Sequence, residues 1–353
     1  MSTGAVSGMV QSGLLAQLVA DSTATQMQLD KLTQQSASGQ VADTYGGLGN
    51  TAYVSIGVRP QMAQVTAFQQ NITTATTQLD TTQSVLGQLE SIASTFNSDA
   101  LGADMTTSTG ATALAAQAQD ALQQVAGLLN TQSNGQYDFA GTDSANPPIS
   151  TANLATFTNA AGAQVSGLGS STGATTLVSS LVTLATTANF AYPGSSAADA
   201  TPTALLTPIG QGQNVPTAFV AGVNSYATQP GNGTTGSYVR DLIAGLAGLA
   251  GLSSTTADES TLQSYGSAVS QLLQGAATAI TTEEAGFGQV QSDLSTQSTN
   301  LSDTLTSLTT QVSSVENVNM TATATALSQV QTQLQASYQL IAGLKELSLT
   351  DYL

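Results

Sequence analysis

Residues 58–100 read VRPQMAQVTAFQQNITTATTQLDTTQSVLGQLESIASTFNSDA. Stepping by seven from Val58 meets Val65, Ile72, Leu79, Leu86, Ala93 and Ala100, and every step is apolar. A second column runs Leu273, Ile280, Phe287, Leu294, Leu301, Leu308 and Val315. A strict seven-residue repeat on a helix of 3.6 residues per turn predicts a left-handed supercoil. Met62, Phe68, Val85, Leu89, Ile92 and Phe96 widen the first seam, while Gln69, Thr76 and Gln83 interrupt it. Val290, Leu305 and Val312 widen the second. Each column spans roughly 43 residues, hence about 65 Å of helix. Two helices of equal length, far apart in sequence, are natural antiparallel partners. The expected fold is mainly α: long antiparallel supercoiled rods from the N- and C-terminal segments, with a small β-containing outer domain inserted between them.

Outward from the columns, a third helix is predicted near 110–133, with Leu114, Ala118, Ala121, Val125 and Leu128 on one face. Ser-Asn-Gly at 133–135 reads as its stop, with Gly135 in the left-handed position. Thr256 and Glu259 have capping-box spacing ahead of the second rod. A shorter helix, SYVRDLIAGLAGLAGL (237–252), precedes it. Leu15, Leu18, Leu29 and Leu32 mark an N-terminal helix; Met320, Leu327, Leu334 and Ile341, with Val330 and Leu344, mark a C-terminal one. Both are rich in Ser, Thr and Gln, middling helix formers, so they are expected to be marginal alone and to need partners. The chain closes on Leu347, Leu349, Tyr352 and Leu353, an apolar hook expected to be buried only on assembly. The middle, 137–232, holds seven of the eight prolines and no Lys or Arg. There, VPTAFVAGVNSYAT (215–228) suggests a strand or two, and TTLVSSLVTLATTANFAY (175–192) suits either helix or strand. The expected domains are therefore terminal (1–50 with 318–353), rod (51–136 with 233–317) and outer (137–232).

Composition excludes much. Four Lys and Arg stand against 21 Asp and Glu, for a net charge of −17. Such a chain has no basic stripe for nucleic acid or anionic lipid. With neither His nor Cys, imidazole acid–base chemistry, thiol nucleophiles and the usual zinc ligand sets are gone. No catalytic, cofactor or metal residues are expected. Adjacent carboxylates at Asp258/Glu259 and Glu283/Glu284 read as solvated helix surface rather than acid–base pairs. GLAGLAG (245–251) has no Lys and follows no strand, so close helix packing explains it better than a phosphate loop. Arg59 and Arg240, the two arginines, are expected to satisfy a carboxylate or carbonyl. The sequons at Asn71, Asn232 and Asn319 read as chance. The first 22 residues lack a basic n-region, and no run approaches a membrane-spanning length, so neither a cleaved signal peptide nor membrane insertion is expected.

LDKLTQQSASGQVADTYGGLGNTAYVSIGVRPQM (29–62) resembles the N-terminal signature of the flagellin superfamily, through Leu29, Leu32, Ser38, Gly39 and Arg59. NGQYDFAGTDSANPP (134–148) is similar to the Gly-x-Tyr-x-Phe-x-Gly-Thr exit of its hook–filament junction family, hook-associated protein 3, and LSLTDYL (347–353) resembles that family's terminus. Gln40 and Val41 stand where a basic pair is common, and DTYGGLGN (43–50) replaces an acidic-proline turn. The resemblance implies a non-enzymatic subunit, exported by the flagellar type III pathway to the outside of the cell. It would form a homo-oligomeric ring between hook and filament, against a neighbouring hook-associated protein and flagellin. Its termini would order on assembly, after an export chaperone on the C-terminal helix lets go. Filament flagellin and a coiled-coil adhesin stalk are the alternatives, and an ordinary helical bundle would also show the heptad columns.

Overall fold

A computed structural model describes residues 3–169, 173–190, 204–228 and 233–350. It is mainly helical. The helices are α1 (Thr3–Ser38), α2 (Ala52–Asp99), α3 (Ser108–Leu129), α4 (Thr151–Val165), α5 (Ala174–Thr187), α6 (Tyr238–Ala250), α7 (Glu259–Glu316) and α8 (Met320–Thr350). Two small antiparallel hairpins complete it: β1 (Gln132–Ser133) with β2 (Gln136–Tyr137), and β3 (Leu205–Gly210) with β4 (Gln213–Ala218). The chain divides into two compact units, Met1–Thr66 with Ser302–Leu353, and Ala67–Leu301.

In the 67–301 unit, α2 and α7 run antiparallel. Gln291 donates to Asp80 (2.7 Å) and Ser270 to Asn97, so rising numbers on one helix meet falling numbers on the other. Ile72, Leu79, Leu86, Ala93 and Ala100 are buried, as are Leu273, Ile280, Phe287, Leu294 and Leu301. A Cβ on Gly266 would lie 2.0 Å from the Ala100 carbonyl oxygen, so only glycine allows this approach. The many threonines survive in these helices because their hydroxyls donate back to the carbonyl four residues earlier, as at Thr74, Thr77, Thr82 and Thr278.

The core of this unit is α6. Every residue from Tyr238 to Ala250 except Arg240 is buried, as expected of a helix apolar all round. It packs on α3, α4 and α5. The glycines of GLAGLAG admit these neighbours: a Cβ would strike Leu273 from Gly245, Tyr265 and Leu181 from Gly248, and Val165 from Gly251.

Two local expectations are corrected and one ambiguity is resolved. The third helix stops at Leu129, and Asn134 (φ 54°) with Gly135 (φ 78°) makes the two-residue turn of the β1–β2 hairpin instead of a helix stop. Asp258, not Thr256, caps α7, accepting the Thr261 amide at 2.8 Å. The ambiguous stretch 175–192 is helical over Ala174–Thr187, and with α4 it makes the middle more helical than its proline content suggests. Pro208 and Pro216 sit on a two-stranded hairpin, where both strands are edges and a missing donor is tolerated.

In the other unit, α1 and α8 pair with each other. The first turns of α2 and the last of α7 bury Val58, Val65, Leu308 and Val312, while Val315, the last residue of its column, is only half-buried.

Candidate functional site

Three places carry the residues singled out by the sequence. The first is the α1–α8 pair. Leu18, Leu29 and Leu32 on α1, and Leu327, Leu334 and Ile341 on α8, are half-buried; Val330 is buried, as are the polar Ser22, Thr25 and Thr323. Around this seam large apolar side chains stay exposed: Val19 and Met27 on α1, and Met320, Tyr338 and Leu340 on α8. Leu15, Leu344, Leu347 and Leu349 lie within the two helices, but their side chains are outside the described set; Tyr352 and Leu353 lie outside the described residues.

The second is a joint where four segments meet. The Glu316 carboxylate receives Arg59 at 2.6 Å and 3.1 Å, a bidentate fork, and the Ser55 hydroxyl. The Glu316 carbonyl accepts the Val41 amide (2.7 Å), Gly39 accepts from Val318 (3.0 Å), and Gln40 bridges Asn317. This is the single ion pair among the described residues. The hydrogen bond from Arg59 holds the Glu316 carboxyl below its usual range, and Glu316 raises Arg59 in return. Sequence reasoning left Arg59 without a partner. A signal existed: Arg59 follows Val58, first of one column, and Glu316 follows Val315, last of the antiparallel one.

The third is the exit from the helical region toward the middle. Gly135 and Gly141 (φ 59°) both need left-handed backbone, which explains both glycines in Gly-x-Tyr-x-Phe-x-Gly. Phe139 is buried, and residues 138–141 pair with 219–221: Phe219 donates to Asp138, Gly141 to Phe219 and Ala221 to Phe139. Asp138 is itself buried. Ser133 donates to one of its oxygens, and burial pushes its carboxyl up.

Two other polar groups depart from expectation. Glu283 is not on a solvated face. It is 1% exposed, accepts the Tyr226 and Ala227 amides at 2.8 Å and 2.7 Å, and burial raises its carboxyl. Its neighbour Glu284 is half-buried. Arg240 spends one nitrogen on the Ala185 (2.5 Å), Thr186 (3.4 Å) and Ala188 (2.8 Å) carbonyls at the end of α5, and its guanidinium lies over Phe190. Asp241 beside it accepts the Thr235 amide, and burial raises its carboxyl. These groups tie loops to helices; nothing in their arrangement aims a nucleophile or base at open space.

With the helical ends and the joint described, the comparison with known families becomes informative. The bacterial flagellin N-terminal helical region matches residues 12–144, and the bacterial flagellin C-terminal helical region matches 270–353. Together they cover well over half of the chain. The chain belongs to the flagellin superfamily. No individual curated protein matches it significantly. As a flagellin-superfamily protein it is a structural, non-enzymatic subunit of the bacterial flagellum, an exported assembly built by self-association. No helix among the described residues is long and apolar enough to cross a membrane. The N-terminal match ends inside the exit segment and the C-terminal match begins within α7, so α4, α5, α6 and the β3–β4 hairpin lie outside both.

Proposed function

We propose that this flagellin-superfamily subunit forms the junction ring between hook and filament, with a neighbouring hook-associated protein on one side and flagellin on the other. The observation that carries the reading is the exit segment Gly135–Thr142. Its similarity to the junction family rests on spaced glycines and aromatics, and each has a physical task here: two left-handed turns, a strand and a buried phenylalanine. The ending Leu347–Leu353 adds a second resemblance. The half-buried seam of α1 and α8, with Met27, Tyr338 and Leu340 exposed around it, suits helices whose apolar surface is completed by neighbours. Export through the flagellar type III pathway, with a chaperone on the α8 stripe Leu327–Leu344, follows from the same reading.

Immunogold labelling of isolated flagella tests it. Gold confined to a band at the distal end of the hook supports the junction role; label along the whole filament identifies a filament flagellin instead. Truncation gives an independent check. Removing residues 347–353 takes away several apolar side chains, each worth about 1.5–3 kcal/mol when buried. Cells with only the truncated chain should carry bare hooks and shed unpolymerised flagellin. Normal filaments on such cells would refute the role given to this terminus.

A further inference from the structure

Arg240 is the only basic residue between Pro60 and Leu344, and only part of its guanidinium is spent. Nη1 serves the Ala185, Thr186 and Ala188 carbonyls, and the group lies over Phe190, 5.4 Å from Cζ to the ring centroid. Nε and Nη2, which carry the other three N–H donors, have no acceptor among the described residues. No carboxylate pairs with them either: Asp241 is held by Thr234 and Thr235, and Glu283 by the Tyr226 and Ala227 amides. Arg240 borders an open cleft of about 580 Å³, lined also by Gly222, Asn224, Thr228, Thr235 and Ser237, with no Asp or Glu in its walls. A Cβ on Gly222 would lie 3.7 Å from both Nε and Nη2, so the bare glycine keeps that side of the guanidinium uncovered. Ser237 caps α6, which sets the cleft at the positive end of that helix.

We propose that this cleft binds a small carboxylate, with Nε and Nη2 of Arg240 donating to its oxygens. Two parallel N–H donors on one rigid plane match a carboxylate. The carbonyls at the end of α5 and the Phe190 ring already hold the guanidinium in place, so little side-chain freedom remains to be lost on binding. Those carbonyls offset part of the positive charge; an entering anion supplies the rest, which the chain itself withholds. One basic residue, in a chain of net charge −17, selects a monoanion over a more highly charged ligand. The cleft has room for a whole sugar ring beside its carboxylate. Val223 and Ala227 give that ring an apolar wall, and the exposed Thr228 brings a hydroxyl. The chemical class is therefore an acidic sugar such as a hexuronate. The site lies within the 67–301 unit and depends neither on the terminal helices nor on the junction reading.

The test uses the scarcity of arginine. With Arg59 and Arg240 alone, the full-length, unpolymerised chain gives two Nε–H signals in a nitrogen-15 NMR spectrum, and Arg59 is the internal reference. Sodium D-glucuronate, added at constant ionic strength, should shift the Arg240 signal saturably with a Kd of about 1 mM or tighter. D-Glucose and sodium chloride should leave it in place. By calorimetry, R240K and G222V should each weaken glucuronate about tenfold or more. G222V leaves Arg240 and its three carbonyls intact while covering Nε and Nη2, so it separates ligand binding from the tie to α5. Should either variant fail to fold, the titration of the parent chain decides alone. Four results overturn the proposal: no saturable shift up to about 50 mM glucuronate, equal shifts at Arg59, phosphate binding tighter than glucuronate, or a folded G222V that binds as the parent does. None of these results bears on where the protein sits in the flagellum, so the cleft and the junction reading fail separately.

Discussion

Helices α6 and α8 are both poor in charge and built largely of small and aliphatic residues, yet their fates differ. Around α6 the chain supplies three helical neighbours, and all but Arg240 of its residues are buried. Along α8, from Met320 to Gly343, only Thr323 and Val330 are buried. Local propensity does not separate them in the direction of burial, since Gly245 and Gly248 within 13 residues weaken α6 on intrinsic grounds. Tertiary surroundings do. One region is completed by its own chain, and the other presents its stripe to whatever comes next.

The largest test of that contrast sets the same substitution in both places. Leu294→Asp puts a lone carboxylate at a fully buried position and should cost several kcal/mol, read as a large fall in Tm. Leu334→Asp, at a half-buried position of α8, should cost about 1 kcal/mol or less in the unpolymerised chain but should prevent incorporation into flagella. Equal Tm losses would mean that α8 is as well buried by its own chain as α7.

Glycine gives the next test, with opposite signs. Gly266→Ala must displace backbone at Ala100 and should destabilise by about 1–3 kcal/mol. Gly343→Ala meets nothing within 4 Å and should stabilise α8 by about 0.5–1 kcal/mol through helix propensity. If Gly343→Ala also blocks assembly, a neighbouring subunit approaches there.

The smallest effects come from pH. Asp138, Asp241 and Glu283 have carboxyls raised by burial. Their contribution is fully present below the unfolded carboxylate range and is lost as pH rises through the raised values. Glu316 is lowered, so its contribution is present above the unfolded value and is lost as pH falls through the depressed one. Hydrogen exchange corrected for intrinsic rates should therefore show residues 224–228 and 233–237 gaining protection as pH falls through the raised values of Glu283 and Asp241. Residues 39–41 and 316–318 should lose it only in stronger acid. Glu283→Gln keeps an oxygen for the Tyr226 and Ala227 amides and should remove that residue's share of the pH response with little loss at neutrality. Loss of protection at both places together would break the distinction.

Much of this was legible in advance, for a physical reason. A seam repeated over many turns overwhelms local noise, so the columns from Val58 and from Leu273 could be read directly, and GLAGLAG announced close packing because nothing but glycine fits there. Single-residue decisions were not legible. Whether Gly135 ends a helix or turns a hairpin depends on what Gln132 and Tyr137 find across the turn. Glu283 looked solvated because its partners are amides 56 and 57 residues away, and backbone donors leave no mark in composition. In the terminal helices the leucine stripes were visible, and α1 and α8 cover each other's stripe only in part, leaving most of these leucines half-buried.

The placement of the arginines bears on survival outside the cell. A trypsin-like protease needs a basic side chain in an extended, open segment. Arg59 is followed by Pro60, a bond such enzymes refuse, and the Arg240 guanidinium is engaged with three carbonyls in the middle of the best-buried part of the chain. Of the four basic residues, that leaves Lys31 on α1 and Lys345 on α8. Both sit inside helices, so a cut there requires local unwinding of α1 or α8; digestion of the unpolymerised chain should trim it to residues 32–345 and then stall, and any covering of the terminal pair by neighbours would remove even those two cuts.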